Sequence, residues 1–294
     1  MAVPSGYLQR KAGLAPQILP QTCYNFVPFQ PETFAYMPLI LTETHAAVRV
    51  ISLNRPELIN AFNRAMAAEL QLALADAAAD DQIRAVLLKG EGRGFCSGQD
   101  LAEAIDPNGP AILEIVEKTY NPIVLALRSM PKPVVCAVHG VAAGAGANVA
   151  LAADLTLSAQ SASWVQAFSK IGLIPDSGGT FMLPRLVGLQ RAAGLCMLAE
   201  KINGEEAERL GLIWKCLPDD ALFSEALALA ERLSQMPTQG LALTKQAFNE
   251  GLNQSLQAQL QREAVLQAQA AQSHDHKEGV QAFLEKRKPN FNGK

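Results

Sequence analysis

Asp176 closes an apolar run, Ile171-Gly172-Leu173-Ile174-Pro175, and is followed by Ser177-Gly178-Gly179-Thr180. A carboxylate partly withdrawn from water holds its proton more tightly, which suits a general base. The same aspartate ahead of small residues also reads as a helix N-cap, and the two roles can coexist. Two glycine-rich stretches precede it: Gly94-Phe95-Cys96-Ser97-Gly98-Gln99-Asp100 and His139-Gly140-Val141-Ala142-Ala143-Gly144-Ala145-Gly146-Ala147-Asn148. Each follows a short apolar run with the character of a buried strand, and each opens a helix. Backbone N–H groups left free at such a junction favour negative charge. Two junctions aimed at one point could hold the oxygen of an enolate. Singly, each stretch is also compatible with a structural role. The first could be an ordinary strand-to-helix turn whose helix start Asp100 favours. The second could be close helix packing through small residues. The first stretch also lacks the dinucleotide-binding fingerprint, which places its acidic residue after a further strand.

The elements that must position these residues are legible around them. Leu39 to Thr42 and Ala47 to Leu53 read as strands about a polar turn. Asn63 is placed to cap a helix whose apolar face is Met66, Leu70, Leu74 and Ala77. Ala85 to Leu88, Val134 to Val138 and Leu155 to Leu157 are short buried strands, and Ile112 to Leu127 is a helical run disturbed at Pro122. Alternating strands and helices imply parallel pairing through right-handed crossovers. After Pro184 the sequence turns helical, with apolar stripes near 188–198, 203–210, 220–234, 237–249, 254–271 and 276–286, interrupted by a strand at Leu212 to Cys216. Residues 1–36 carry Pro4, Pro16, Pro20, Pro28 and Pro31 without a sustained period. They are expected to be a disordered extension, or the product of a start placed ahead of Met37. The expected organisation is therefore 1–36 extension, 37–230 α/β core and 231–294 helical region.

Composition narrows the classes. The chain has 294 residues, 49% hydrophobic and 18% charged, with a formal net charge of −3. That is enough chain for a large core, and no basic surplus points to nucleic acid. The five cysteines, Cys23, Cys96, Cys136, Cys196 and Cys216, form no C-x-x-C pair, so neither a disulfide framework nor a zinc site is expected and a cytoplasmic setting fits. His45, His139, His274 and His276 lack ligand spacing. No apolar run reaches the ~18 residues needed to span a bilayer.

In this order, the two glycine-rich stretches and the Asp176 segment resemble the crotonase (enoyl-CoA hydratase/isomerase) superfamily. The likeness covers Met37 to Lys294. It starts with Asn54-Arg55-Pro56-Glu57 and Asn60-Ala61-Phe62-Asn63 and ends with Glu278-Gly279-Val280-Gln281-Ala282-Phe283-Leu284-Glu285-Lys286-Arg287. Within the family, the run Ala167 to Asp176 followed by Gly178-Gly179-Thr180 is similar to the ring 1,2-epoxyphenylacetyl-CoA isomerases of phenylacetate degradation. The resemblance implies an α/β fold: a spiral of ββα units with a helical C-terminal trimerisation region, assembled as a trimer or a dimer of trimers. It implies an acyl-CoA thioester as substrate, with coenzyme A entering only as part of it and no metal or other cofactor. By position, the oxyanion-hole amides fall at Gln99 and Ala145, and the base at Asp176. Substrate or CoA contacts fall at Ala61, Cys96, Gly98, Asp100, Leu101, Asn148, Phe168, Phe283 and Lys286. Lys286 reads equally well as an ordinary surface lysine.

Departures from the family pattern shape the expected activity. The two glutamates that hold water in the family's hydratases fall at Asn148 and Phe168. Asparagine cannot shuttle a proton at neutral pH, and phenylalanine has no polar group. Leu58 stands where many relatives carry a lysine near the CoA phosphates. An isomerase is therefore expected, in which Asp176 moves a proton along an activated thioester, with ring 1,2-epoxyphenylacetyl-CoA converted to oxepin-CoA. The alternatives are a Δ3–Δ2 enoyl-CoA isomerase or a hydratase of fatty acid oxidation and, in a different class, a non-catalytic acyl-CoA-binding protein.

Overall fold

Strands that alternate between two sheets build the molecule's interior. The structure, a computed structural model, describes residues 37–294; the expectation for residues 1–36 lies outside them. β1 (Ile40–His45) and β2 (Val48–Leu53) form an antiparallel hairpin with Ile40 opposite Leu53 and His45 opposite Val48. β3 (Ala85–Gly90), β4 (Val134–Val138), β6 (Leu155–Ala159) and β9 (Lys215–Leu217) continue the sheet in parallel, in the order β1-β2-β3-β4-β6-β9. A second sheet has the order β5-β7-β8 and consists of β5 (Val141–Ala143), β7 (Ser163–Val165) and β8 (Ile202–Asn203). β4 runs into β5 and β6 into β7, so consecutive strands enter different sheets. This is the ββα spiral.

Helices cover the large sheet. α1 (Arg64–Ala79) starts where the Asn63 side chain accepts the Met66 N–H at 2.9 Å. It buries Met66, Leu70, Ala73, Leu74 and Ala77, one helical face. The one-turn helices α2 (Leu101–Ala104) and α3 (Ile112–Ile115) lead into a π-helical segment at Val116–Tyr120 and then α4 (Asn121–Ser129), which packs on α1. The expected disturbance thus falls just before Pro122. Proline lacks an N–H and crowds the carbonyl four residues back; that carbonyl, Lys118 O, accepts instead from Gln71 Nε2 at 2.9 Å.

α5 (Ala145–Leu151) leaves the small sheet. α6 (Gly179–Val187) contains Pro184 within it, so helix begins earlier than the sequence suggests. Then follow α7 (Leu189–Leu198), α8 (Gly204–Leu210) and α9 (Leu222–Ser234). α9 lays Leu222, Ala226 and Ala230 against β3, β4 and β6. α10 (Thr238–Gly251), α11 (Leu256–Ala271) and α12 (His274–Glu285) complete the chain. Pro38 to Lys294 form one compact unit. The strand expected at 212–216 lies later, at Lys215–Leu217, because Leu212 and Ile213 are buried as core residues ahead of it.

Candidate active site

The segment Cys96–Asp100 is gripped from both sides. Phe62 forms a parallel bridge with Gln99: the Phe62 N–H donates to Gly98 O at 2.7 Å and the Asp100 N–H to Phe62 O at 2.9 Å. On the other side Cys96 pairs with Ala142. There the Cys96 N–H donates to Val141 O, and the Ala143 N–H donates to Cys96 O, each at 2.9 Å. Gly98 has φ +98°, and a Cβ there would lie 3.0 Å from Ala143 O and 3.8 Å from Ala145 N. Glycine is what lets the two backbones meet. Neither the Gln99 nor the Ala145 amide has an acceptor among the described residues. Gln99 N–H points away from its bridge partner, and Ala145 is the first residue of α5, where the helix itself offers no acceptor. Two free amides on touching segments are the arrangement that an oxyanion requires.

Asp176 is half-buried on the loop before α6. Asn148, in the first turn of α5, donates from Nδ2 to Asp176 O at 2.9 Å, and Gln166 Nε2 donates to Asn148 Oδ1 at 2.9 Å. The loop is thus tied to the helix that presents the Ala145 amide. Burial raises the Asp176 carboxyl above the usual carboxylate range, while the Ser177 hydroxyl, which donates to Oδ1 at 2.9 Å, opposes the rise. The N-cap of α6 is Gly178, with no side-chain bond, and the Gly179 N–H goes to Asp176 O at 2.8 Å. Asp176 is therefore not the helix cap that its position permitted.

The other expected site residues separate into groups. Phe168 is buried with its ring beside Gly144, where a Cβ would lie 3.6 Å from Cζ. It forms an apolar wall next to the Ala145 amide. Asn148 is buried and bonded to protein at both polar ends, so it positions the Asp176 loop. Asp100 pairs with Arg55 at 3.0 Å and caps α2 through Ala102 N, which is a structural role. The same arginine donates to Ala61 O at 2.6 Å. Cys96 is fully buried, its thiol pushed up to about 12 by burial, and Sγ donates to Asn60 O at 3.0 Å. It is an inert spacer. Leu58 and Leu101 are exposed at 46% and 58%. Phe283, 83% exposed, lines a groove with Pro237, Gly240, Gln267 and Phe291, and Lys286 lies just beyond, so this chain alone does not bring them to Asp176.

Sequence reasoning missed Gln166, Ser177 and Tyr120. Tyr120 is fully buried with no hydrogen-bond partner for its hydroxyl among the described residues, and its ring stands edge-on to Phe62 with centroids 6.1 Å apart. One turn on, Val124 Cγ1 lies 3.4 Å from the Cβ position of Gly178. Tyr120 therefore sits on the helix face wedged between the amide-bearing segment and the aspartate loop. Burial pushes its phenol up, and Asp176 adds to that. The disturbance expected at Pro122 was the available signal: in the structure it is a π turn, a feature that clusters at functional sites.

Among the described residues, no cluster of His, Cys, Asp and Glu could hold a metal, and no helix is long and apolar enough to cross a membrane. Residues 43–294 match the family described as enoyl-CoA hydratase/isomerase. The chain is 49% identical over 261 residues to the 1,2-epoxyphenylacetyl-CoA isomerase of Escherichia coli K12, covering 88% of this chain and 100% of that one. It is also 49% identical over 252 residues to a Rhodobacter capsulatus protein named probable enoyl-CoA hydratase, covering 86% and 97%. The crystal structure of an enoyl-CoA hydratase from Bacillus anthracis superposes with a TM-score of 0.81 at 32% identity, covering 87% of this chain and all of the other. The extent of these matches, on a fold that ties the Asp176 loop to the helix opening at Ala145, makes this chain a member of the crotonase-fold enoyl-CoA hydratase/isomerase family, whose substrates are acyl-CoA thioesters.

Proposed function

We propose that the protein is an isomerase that converts ring 1,2-epoxyphenylacetyl-CoA to the seven-membered oxepin thioester. The observation that carries this reading is the single acid of the site. Asp176 carries a half-buried carboxylate held by the Ser177 hydroxyl, whereas Asn148 is locked between Gln166 and the Asp176 carbonyl and Phe168 is a hydrocarbon wall. Adding water across a double bond needs a base for the water and an acid for carbon. One carboxylate that takes a proton and returns it elsewhere suffices for an isomerisation, in which mass is unchanged. The Gln99 and Ala145 amides carry the negative charge on the thioester oxygen; in other enzymes loss of one such donor costs about 10²–10³ in rate. The similarity to the Escherichia coli epoxide isomerase supports the ring substrate. The reaction is redox-neutral and calls on no cofactor besides the coenzyme A of the substrate.

The reading includes a homotrimer or dimer of trimers: Phe248, Leu256 and Phe283 are 69%, 75% and 83% exposed in the single chain, an apolar surface that a second copy would cover. Lys286 reaches CoA only in such an assembly.

The test is incubation with epoxidised phenylacetyl-CoA and with a Δ3-enoyl-CoA, followed by mass and absorbance. Unchanged mass with a new oxepin absorbance supports the proposal. Gain of one water from an enoyl-CoA identifies a hydratase instead. Turnover of the linear substrate alone identifies a double-bond isomerase. Binding without turnover of either returns the protein to the binder class.

A further inference from the structure

Ser177 is 1% exposed and adopts φ +51°, a left-handed conformation that a serine side chain opposes. Glycine would fill this position without strain, and glycines occupy the next two. Strain held next to a reactive group points to a task for the side chain. The task is visible: Ser177 Oγ donates to Asp176 Oδ1 at 2.9 Å. Among the described residues, Ser177 is the one side chain that hydrogen-bonds the carboxylate; its other hydrogen bond comes from the backbone of Asp176 itself. From α5 the loop meets Asn148 and from α4 it meets Val124, neither of them charged. The titratable group that feels the carboxylate's charge is the Tyr120 phenol.

We propose that Ser177 is a positioning residue whose hydroxyl pins Oδ1 of the Asp176 carboxylate, so that Oδ2 is the oxygen that meets the acyl chain. The proposal deepens the isomerase reading and rests on it for its catalytic consequence. A bond from a neutral hydroxyl favours the ionised carboxylate. Burial works the other way. A base that must be ionised to take a proton and protonated to return it depends on that balance. The hydroxyl also fixes the carboxylate torsion, leaving one lone-pair direction open to substrate.

Two variants separate the hydroxyl from the backbone. Ser177→Ala keeps the strained conformation and loses the bond, whereas Ser177→Gly loses the bond and relieves the strain. The Asp176 carboxyl titration is followed by 13C NMR in the full chain, with its signal identified by loss in Asp176→Asn. Both variants are expected to titrate higher by about one pH unit, although Ser177→Gly is the more thermostable of the two. The acid limb of kcat/KM is expected to move up by the same amount. If neither variant shifts the NMR titration, or if the shift follows stability rather than loss of the hydroxyl, the proposal is overturned. If the titration shifts while the acid limb stays, Ser177 does pin Asp176, and the assignment of Asp176 as the base is what fails.

Discussion

Asn148 donates from Nδ2 to the Asp176 carbonyl at 2.9 Å, and its Oδ1 accepts from Gln166, so one buried amide holds the Asp176 loop against the helix that presents the Ala145 N–H. The placement of the Asp176 loop relative to the Ala145 amide therefore depends on the Asn148 side chain. Asn148→Asp turns the donor toward the Asp176 carbonyl into an acceptor and buries a second negative charge beside the base. We expect a loss of about 2–3 kcal/mol of stability and a fall of ~10–100-fold in kcat/KM, with no hydration product, since Phe168 still occupies the second acid position. Thermal unfolding and product mass measure both. Wild-type kcat/KM in this variant would mean that the loop is held some other way.

Asp176 itself is expected to destabilise the fold while serving the reaction. Its folded-state carboxyl lies above the unfolded value because burial disfavours the charge. A group raised in this way contributes fully at pH below the unfolded pKa, and the contribution is lost as pH rises through the folded pKa. Asp176→Asn should thus be more stable than wild type at neutral pH, and the difference should vanish on acidification below the ordinary aspartate range. Turnover should fall by ~10²–10⁴. Denaturant unfolding at a series of pH values checks the sign; a variant less stable than wild type at pH 7 contradicts it.

Gly98 is where the Gln99 and Ala145 segments come into contact, and in the proposed reaction it holds the two amides together. At φ +98° any side chain is strained, and a Cβ would press on Ala143 O at 3.0 Å. Gly98→Ala should cost about 1–3 kcal/mol of stability and shift the Gln99 amide. Since that amide acts on charge that develops during reaction, kcat should fall by ~10²-fold with a smaller change in KM. A change confined to KM would remove Gln99 from the oxyanion role.

The sequence revealed some of this architecture and concealed the rest for physical reasons. α1 and α9 to α12 were legible because an amphipathic helix repeats its apolar stripe over several turns. Cys96–Asp100 and His139–Asn148 were legible because close backbone approach demands small residues in a row. The small sheet was not: β5, β7 and β8 are two or three residues long, too short for alternation to register. Asn148 stood out only for the glutamate it replaces; its partners, Gln166 and Asp176, lie 18 and 28 residues along the chain. Asp100 satisfied both a site pattern and a cap pattern, and Arg55, 45 residues away, decided for structure. Phe283 and Lys286 lie on the exposed end of α12, away from the loop that carries Asp176, and no local pattern ties them to it.

Lys245 anchors α10 to the large sheet far from the chemistry. Its Nζ lies 2.8 Å from Asp154 Oδ2, at 7% exposure, and the same oxygen accepts the Val134 N–H at 2.8 Å. Burial pulls the Lys245 ammonium down and Asp154 holds it up. Arg128, 3.6 Å from Oδ1, is too loosely placed to neutralise Asp154 alone. Lys245→Met keeps the stem's volume but strands the carboxylate, and should cost about 3 kcal/mol. Adding Asp154→Asn removes the stranded charge while keeping an acceptor for Val134, and should restore most of that loss. Both variants should retain wild-type kcat/KM. Denaturant midpoints for the two single variants and the double variant give the coupling; additive losses would mean that the pair does not act as a unit.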